Sequence, residues 1–267
     1  MPKGSAKLLR ELLAAFADLL FPPRCQVCGR FCPTPLCEAC AAGFERIARP
    51  WCERCGEPFD PGAHARDWCR DCARRRRPAL CRARSFGLHA GQLRQAVNRF
   101  KFAGRIRLAR PLASLLAGLL SSEPPGGLID PAELEAIIPV PLHPLRRRQR
   151  GYDQAELLGV ALGELTGMPV RRGWLRRVRN TPPQALPDRP RTRQEREANV
   201  RGAFAAREPW PAPGVHVLLV DDVCTTGATL RECARVLRRA GAGPVYGVTI
   251  SRGLPPWHPE ANLIRDA

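Results

Sequence analysis

The chain has 267 residues, 44% hydrophobic and 25% charged, which is enough to build a packed core and excludes wholesale disorder. Its apolar runs fall far short of the roughly 18–20 residues a membrane span requires, so no spanning helix is expected. The net charge of +18 favours polyanions such as nucleic acid or phosphorylated small molecules, although only Lys3, Lys7 and Lys101 are lysines and part of the arginine excess looks like codon drift.

In chain order, residues 6–20 (AKLLRELLAAFADLL) place apolar side chains at helical spacing, interrupted by Arg10, Glu11 and Asp18. With no small-residue cleavage site after it, this reads as an amphipathic packing helix within residues 1–24 and not as a secretory signal. Residues 25–80 are rich in Cys, Pro, Arg and Trp and poor in apolar periodicity, so side chains alone cannot build a core there. From 81 to 253 the pattern becomes periodic. A strand is predicted over Arg84–Leu88, then helices over Gly91–Phe102 and Leu108–Leu120 and a loop over Ser121–Gly127. A buried strand over Ala136–Val140 and a helix over Ala155–Thr166 follow. Residues 176–200 are polar, Pro/Arg-rich and aperiodic, which reads as a functional loop. Val215–Val220, Gly227–Ala240 and Pro244–Ser251 read as strand, helix and strand. Strands alternating with helices predict an α/β domain with a doubly wound, mostly parallel sheet. Residues 254–267 read as an irregular tail.

Ten of the twelve cysteines lie between Cys25 and Cys81. Eight form Cys-x-x-Cys pairs: Cys25/Cys28, Cys37/Cys40, Cys52/Cys55 and Cys69/Cys72. Four thiolates make a closed tetrahedral zinc site, so two structural Zn²⁺ ions are expected. Gly29 and Gly56 after two of the pairs permit the tight turn that aims backbone N–H groups at sulfur. Consecutive pairing closes the shortest loops, and an interleaved pairing is also open. His64 is a spare candidate ligand, and Cys32 and Cys81 are left as free thiols. The alternative, four disulfides or redox dithiols, needs an oxidising compartment for which there is no signal. A reducing, cytoplasmic location follows.

The segment Val217–Thr229, VLLVDDVCTTGAT, joins a buried strand to two adjacent carboxylates and a hydroxyl- and glycine-rich loop that opens a helix. Ligands of open α/β sheets bind at the carboxyl ends of strands, and a helix N-terminus offers unpaired N–H groups to an anion. Thr225, Thr226, Gly227, Ala228 and Thr229 form a candidate monophosphate cradle beside Val220. Asp221 and Asp222 are placed to accept from vicinal hydroxyls or to hold hydrated Mg²⁺. An acidic helix cap is the plainer reading of the two carboxylates, but the full string is long for a cap.

Val217–Thr229 resembles the phosphoribosyl pyrophosphate-binding motif of type I phosphoribosyltransferases. With Leu20–Cys25, Arg99–Arg105, Pro139–Pro144, Arg150–Ala155, Thr181–Gln184 and Arg196–Phe204 in that order behind a double zinc ribbon, the chain resembles the ComF family, including its GntX-like members, over about residues 20–252. The resemblance implies a pyrophosphate-binding segment at His143–Arg150, with Arg146, Arg147, Arg148 and Arg150 suited to a diphosphate. It also implies a closing loop at 176–200, carrying Thr181, Gln184, Arg196 and Asn199. Asp221, Asp222, Lys101 and Arg148 are the candidate catalytic residues. Val220, Thr225–Thr229, His143, Arg150 and Gln184 are the candidate ligand-binding residues.

The implied chemistry is glycosyl transfer, with pyrophosphate leaving the anomeric carbon of phosphoribosyl pyrophosphate and a nitrogen acceptor attacking. The implied setting is DNA uptake in natural transformation, with competence helicase or recombination proteins as partners. Two readings compete: a non-catalytic factor binding single-stranded DNA, and a sensor of phosphoribosyl pyrophosphate. Arginine runs at 74–77, 146–150 and 171–179 suit DNA, whereas 6% aromatic residues leave few stacking platforms.

Overall fold

The computed structural model describes residues 22–60, 62, 67–121, 133–181 and 192–263. The expected N-terminal helix, His64, residues 122–127, Gln184 and the end of the tail lie outside the described residues.

The core is a four-stranded sheet in the order β1 (Leu80–Leu88), β6 (Val245–Arg252), β5 (Val217–Cys224) and β2 (Ala136–Pro139). Every neighbouring pair in it is parallel, with Val217 opposite Val245 and Pro139 opposite Val220. Strands buried on both faces, such as Val217–Val220 of β5, suit this arrangement, since each must feed apolar side chains to two layers. Alternation along β5 sorts them. Leu218 and Val220 join a core with Leu93 and Phe100 of α3 (Gly91–Phe102), Leu112 of α4 (Ala109–Ser121) and Leu158 of α6 (Gln154–Thr166). Val217 and Leu219 face Leu230 and Leu237 of α8 (Ala228–Ala240) on the other side. Helices on both faces make the sheet doubly wound, as the alternating pattern predicts.

Three parts depart from expectation. The segment 143–150 is a helix, α5 (Pro144–Arg150), with Pro at its first turn, the His143 ring accepting from the Leu145 N–H, and left-handed Gly151 closing it. It buries no side chain, so it has no apolar period to read. The aperiodic stretch 176–200 is partly ordered. β3 (Leu175–Arg177) pairs antiparallel with β4 (Phe204–Ala206), and α7 (Arg193–Val200) begins with a capping box between Thr192 and Glu195. The tail also folds in part: α9 (Glu260–Leu263) follows a turn whose His258 ring lies 3.1 Å from Glu45.

The cysteine-rich segment carries two short helices, α1 (Glu38–Ala42) and α2 (Arg70–Ala73). Its backbone runs along the outer edge of β1. Leu88 N–H donates to Glu45 C=O at 2.8 Å, Ile47 N–H to Phe86 C=O at 3.1 Å, and Ala83 N–H to Arg54 C=O at 2.8 Å. Gly87 permits this approach, because a Cβ there would stand 2.4 Å from the Glu45 carbonyl oxygen.

Candidate ligand site at the carboxyl ends of β2 and β5

After β2 the chain passes to α5 and α6 on one face, and after β5 it passes to α8 on the other. The carboxyl ends of these neighbouring strands therefore flank the crevice where α/β sheets take ligands. A cavity of about 340 Å³ opens there, lined among others by Lys101, Arg150, Asp221, Asp222, Thr225, Gly227, Ala228 and Thr229.

The two carboxylates are not equivalent. Asp222 is buried, and Lys101 Nζ sits 3.1 and 3.0 Å from its two oxygens. The ion pair across the site thus covers Asp222 and leaves Asp221 the more open of the two. Asp221 is half-buried, and its Oδ1 accepts from the Asp222 N–H at 2.8 Å. Burial and then the neighbouring Asp222 charge push its carboxyl up to about 8, against a smaller pull from Lys101. Adjacent carboxylates in a poorly hydrated crevice cannot both ionise freely. A divalent cation or a pair of hydroxyl donors would relieve that cost, so the donor set fits hydrated Mg²⁺ or a ribose.

Beyond the carboxylates, Gly227 caps α8 in a left-handed conformation at φ 74°, with no side chain satisfying the first N–H groups. Those N–H groups and the Thr225 and Thr229 hydroxyls make the cradle anion-compatible. Thr226 and Val220 do not line the cavity. Val220 is wholly buried in the sheet core, and the Thr226 carbonyl accepts from Arg231 at 2.7 Å while its Oγ1 is buried without a partner among the described residues.

Helix geometry sorts the arginines of α5. Arg146 and Arg150, one turn apart, line the cavity, while Arg148 is exposed and lies outside it. His143 acts locally as the α5 cap. Arg146 donates to the Thr181 carbonyl, and Arg150 lies 5.0 Å from the exposed Phe102 ring with its Nη1 buried and unpartnered among the described residues. Burial lowers the proton affinity of the Arg146 and Arg177 guanidiniums.

Sequence reasoning missed Arg177, His89 and the function of residues 152–154. Arg177 lines the cavity and donates to Thr181 Oγ1 at 2.5 Å. His89, also on the cavity wall, pairs with Ser251 Oγ at 2.8 Å, and burial, then Lys101 and Arg94, push its pKa down to about 4. Tyr152 Oη donates to the Phe100 carbonyl at 2.6 Å and Gln154 Nε2 to the Lys101 carbonyl at 3.3 Å, fixing the end of α3 that carries Lys101. Asp153 accepts from the Leu142 and Glu156 N–H groups. A lone histidine gives no sequence signal, but the Gly-Tyr-Asp-Gln string after an arginine-rich turn is readable as an N-cap.

The cysteines form two tetrads, Cys25/Cys28/Cys37/Cys40 and Cys52/Cys55/Cys69/Cys72, so the consecutive pairing holds. Sulfur–sulfur separations of 3.9 Å for Cys25–Cys40 and 3.8 Å for Cys28–Cys37 and Cys55–Cys69 match a tetrahedron of thiolates about 2.3 Å from zinc. Gly29 and Gly56 adopt φ 78° and 68° in the turns. Cys32 and Cys81 stand outside both tetrads. Both sites fit zinc with all four positions filled by protein, which is the structural kind.

This is an α/β protein with an N-terminal pair of cysteine tetrads that fit zinc. Residues 16–83 match the double zinc ribbon domain family. The chain is 33% identical over 208 residues to Competence protein F of Haemophilus influenzae, covering 77% of this chain and 85% of that protein. It is 32% identical over 221 residues to the DNA utilization protein YhgH of Salmonella typhimurium (82% and 91%) and 28% identical over 223 residues to Competence protein ComFC of Bacillus subtilis (81% and 84%). The chain belongs to the ComF family. Among solved structures it is similar to the allosteric regulatory enzyme of purine biosynthesis (TM-score 0.37, 20% identity, 57% of this chain and 30% of that one). It is also similar to adenine phosphoribosyltransferase from Saccharomyces cerevisiae (TM-score 0.30, 13% identity, 61% and 69%). Among the described residues no helix is long and apolar enough to cross a membrane.

Proposed function

We propose that the chain binds phosphoribosyl pyrophosphate with Mg²⁺ at the carboxyl end of β5 and acts as a phosphoribosyltransferase-like component of DNA uptake. One observation carries this reading: the Asp221–Asp222 pair, the start of α8 with no side-chain cap and the Arg150 Nη1 left without a partner among the described residues meet at one crevice. The α8 N-terminus and the Thr225 and Thr229 hydroxyls take the 5′-phosphate. Asp221 accepts from a ribose hydroxyl, and Lys101 holds the Asp222 carboxylate in place beside it. Arg146 and Arg150 take the diphosphate and steady it as it leaves, which is where preorganised charge is most effective. Mg²⁺, when bound, neutralises part of the diphosphate charge. The names of the relatives above supply the DNA-uptake setting.

Calorimetric titration with phosphoribosyl pyrophosphate and Mg²⁺ tests the site. Binding to the wild type that is lost in Asp222→Ala, in a variant that still folds although it gives up the Lys101 ion pair, supports it. Binding that survives in both Asp221→Asn and Asp222→Ala refutes it.

A second reading, binding of single-stranded DNA, is favoured by one feature. A groove of about 730 Å³ beside Ala228 is lined by Arg75, Arg76, Arg77, Arg201, Arg235 and Arg239. Such binding would be electrostatic and weakly selective, so affinity should fall steeply with salt. A salt-independent complex contradicts it.

A further inference from the structure

The loop that cradles the phosphate in the reading above is held from below by two arginines, and both lead to the second cysteine tetrad. Arg252, at the end of β6, is 2% exposed. Its Nη1 donates to the Cys55 carbonyl at 2.9 Å and to Cys224 Sγ at 3.4 Å, and its Nη2 lies 3.9 Å from Cys55 Sγ. Cys224 is the last residue before the loop, and its carbonyl accepts from Gly253 N–H at 2.9 Å. Gly253 lies so close under the loop that a Cβ there would stand 3.4 Å from Thr225 Cα.

The second arginine is Arg231. Its Nη1 donates to the Thr226 carbonyl at 2.7 Å and its Nη2 pairs with Glu197 at 2.6 Å. Glu197 also pairs with Arg75 at 2.8 Å, and Arg75 lies 3.6 Å from Asp71, between the ligands Cys69 and Cys72. On the same helix Arg193 pairs with Asp71 at 2.8 Å and with Glu57 at 3.0 Å. The second tetrad thus grips α7, Glu197 of α7 holds Arg231 on the Thr226 carbonyl, and Arg252 holds the Cys224 thiol beside Gly253, whose N–H binds the Cys224 carbonyl. Charge-assisted bonds of this kind fix direction as well as distance.

We infer that the second zinc knuckle is a positioning element of the phosphate loop, acting through Arg252 directly and through Glu197 and Arg231. The metal holds Cys55 and Asp71, and these hold the arginines that shape the loop. The first knuckle has no such connection among the described residues. The inference rests on the phosphate-loop reading for its functional meaning, but its mechanical content stands apart from any ligand.

The test is hydrogen exchange on the full-length, zinc-loaded protein without ligand, with zinc content, a thermal melt and a phosphoribosyl pyrophosphate titration on the same samples. Arg252→Met and Glu197→Gln are compared with the wild type; Glu197 is partly exposed, so its variant keeps the test open if the buried arginine is needed for folding. Exchange at 225–229 should rise about tenfold, the factor expected for one lost hydrogen bond to a charged group, while exchange in β5 and β6 stays unchanged. A scaffold role alone would instead raise exchange throughout the sheet and lower the melt. That result, or an unchanged loop in both variants, overturns the inference. A loosened loop in a protein whose wild type does not bind phosphoribosyl pyrophosphate upholds the inference and overturns only the ligand reading.

Discussion

The two knuckles share one ligand set and attach to the sheet by opposite means. In the first, Cys25, Val27, Cys40 and Phe44 merge with the apolar core that contains Leu93, Phe100 and Leu112. In the second, Cys52, Cys69 and Cys72 form a small cluster of their own. The second is joined to the rest by ion pairs, Arg84 with Glu53 at 2.9 Å and Arg193 with Glu57 and Asp71, and by a charge-assisted hydrogen bond from Arg252 to the Cys55 carbonyl. The Cys-x-x-Cys spacing fits each to a metal. The neighbours decide what the metal does for the fold. Apolar attachment stabilises without preferred direction, whereas charged bonds are directional and respond to salt.

The largest change should come from Cys52→Ser. Structural zinc contributes on the order of 10 kcal/mol to folding its ligands, so the second knuckle should unfold. Elemental analysis should then give one zinc where the wild type gives two, with the loop at 225–229 loosened and the melt of the sheet little changed. Two zinc ions retained would refute the tetrad. Next comes Phe44→Ala in the first knuckle. Phe44 is 5% exposed in the main core, and such truncations cost about 3–5 kcal/mol. Here the whole thermal transition should fall and loop exchange should rise only in step with the rest. A loop-specific effect would erase the contrast.

Asp221→Asn changes the ligand site without touching either knuckle. The Asp221 carboxyl is raised from 3.8 to about 8, so the folded chain holds a proton the unfolded chain has released. That contribution to stability is full below the unfolded value and is lost as pH rises toward about 8. The asparagine variant escapes this loss, so its melting-temperature advantage should widen between about pH 6 and about pH 8, with zinc content unchanged. A constant difference across that range would show that Asp221 is not raised. The smallest effect is expected from Arg193→Gln. Its side chain is 32% exposed, so the cost should be about 1 kcal/mol or less, and high salt should mimic it. Equal salt sensitivity in Phe44→Ala and Arg193→Gln would remove the distinction between the two attachments.

Much of this was legible in the sequence. Leu93, Val97 and Phe100 set the period of α3, and the strand-to-helix passage through Asp221 and Asp222 located the crevice. What escaped it lacked a local signature. α5 and α7 are polar on nearly every face, and only their terminal residues (Pro144 and Gly151, Thr192 and Glu195) announce them. The choice of Arg146 and Arg150 over Arg148 follows only once residues 144–150 are known to be helical. The Lys101–Asp222 ion pair joins residues 121 positions apart, a contact that no local pattern reveals. The ribbon-to-loop connection through Arg252 has the same character, spanning 197 positions.

The backbone that the cysteine-rich segment lays along β1 has a consequence for how chains meet one another. An open strand edge is a template for the strand of another molecule. Here Glu45, Ile47 and Arg54 occupy that edge, the first two between the tetrads that fit zinc and Arg54 within the second of them. One of the two edge strands, β1, is thus shielded by a cover that chelation of zinc would take away. A zinc-stripped chain keeps its sheet but bares a row of unpaired N–H and C=O groups, and in concentrated solution it should associate edge to edge.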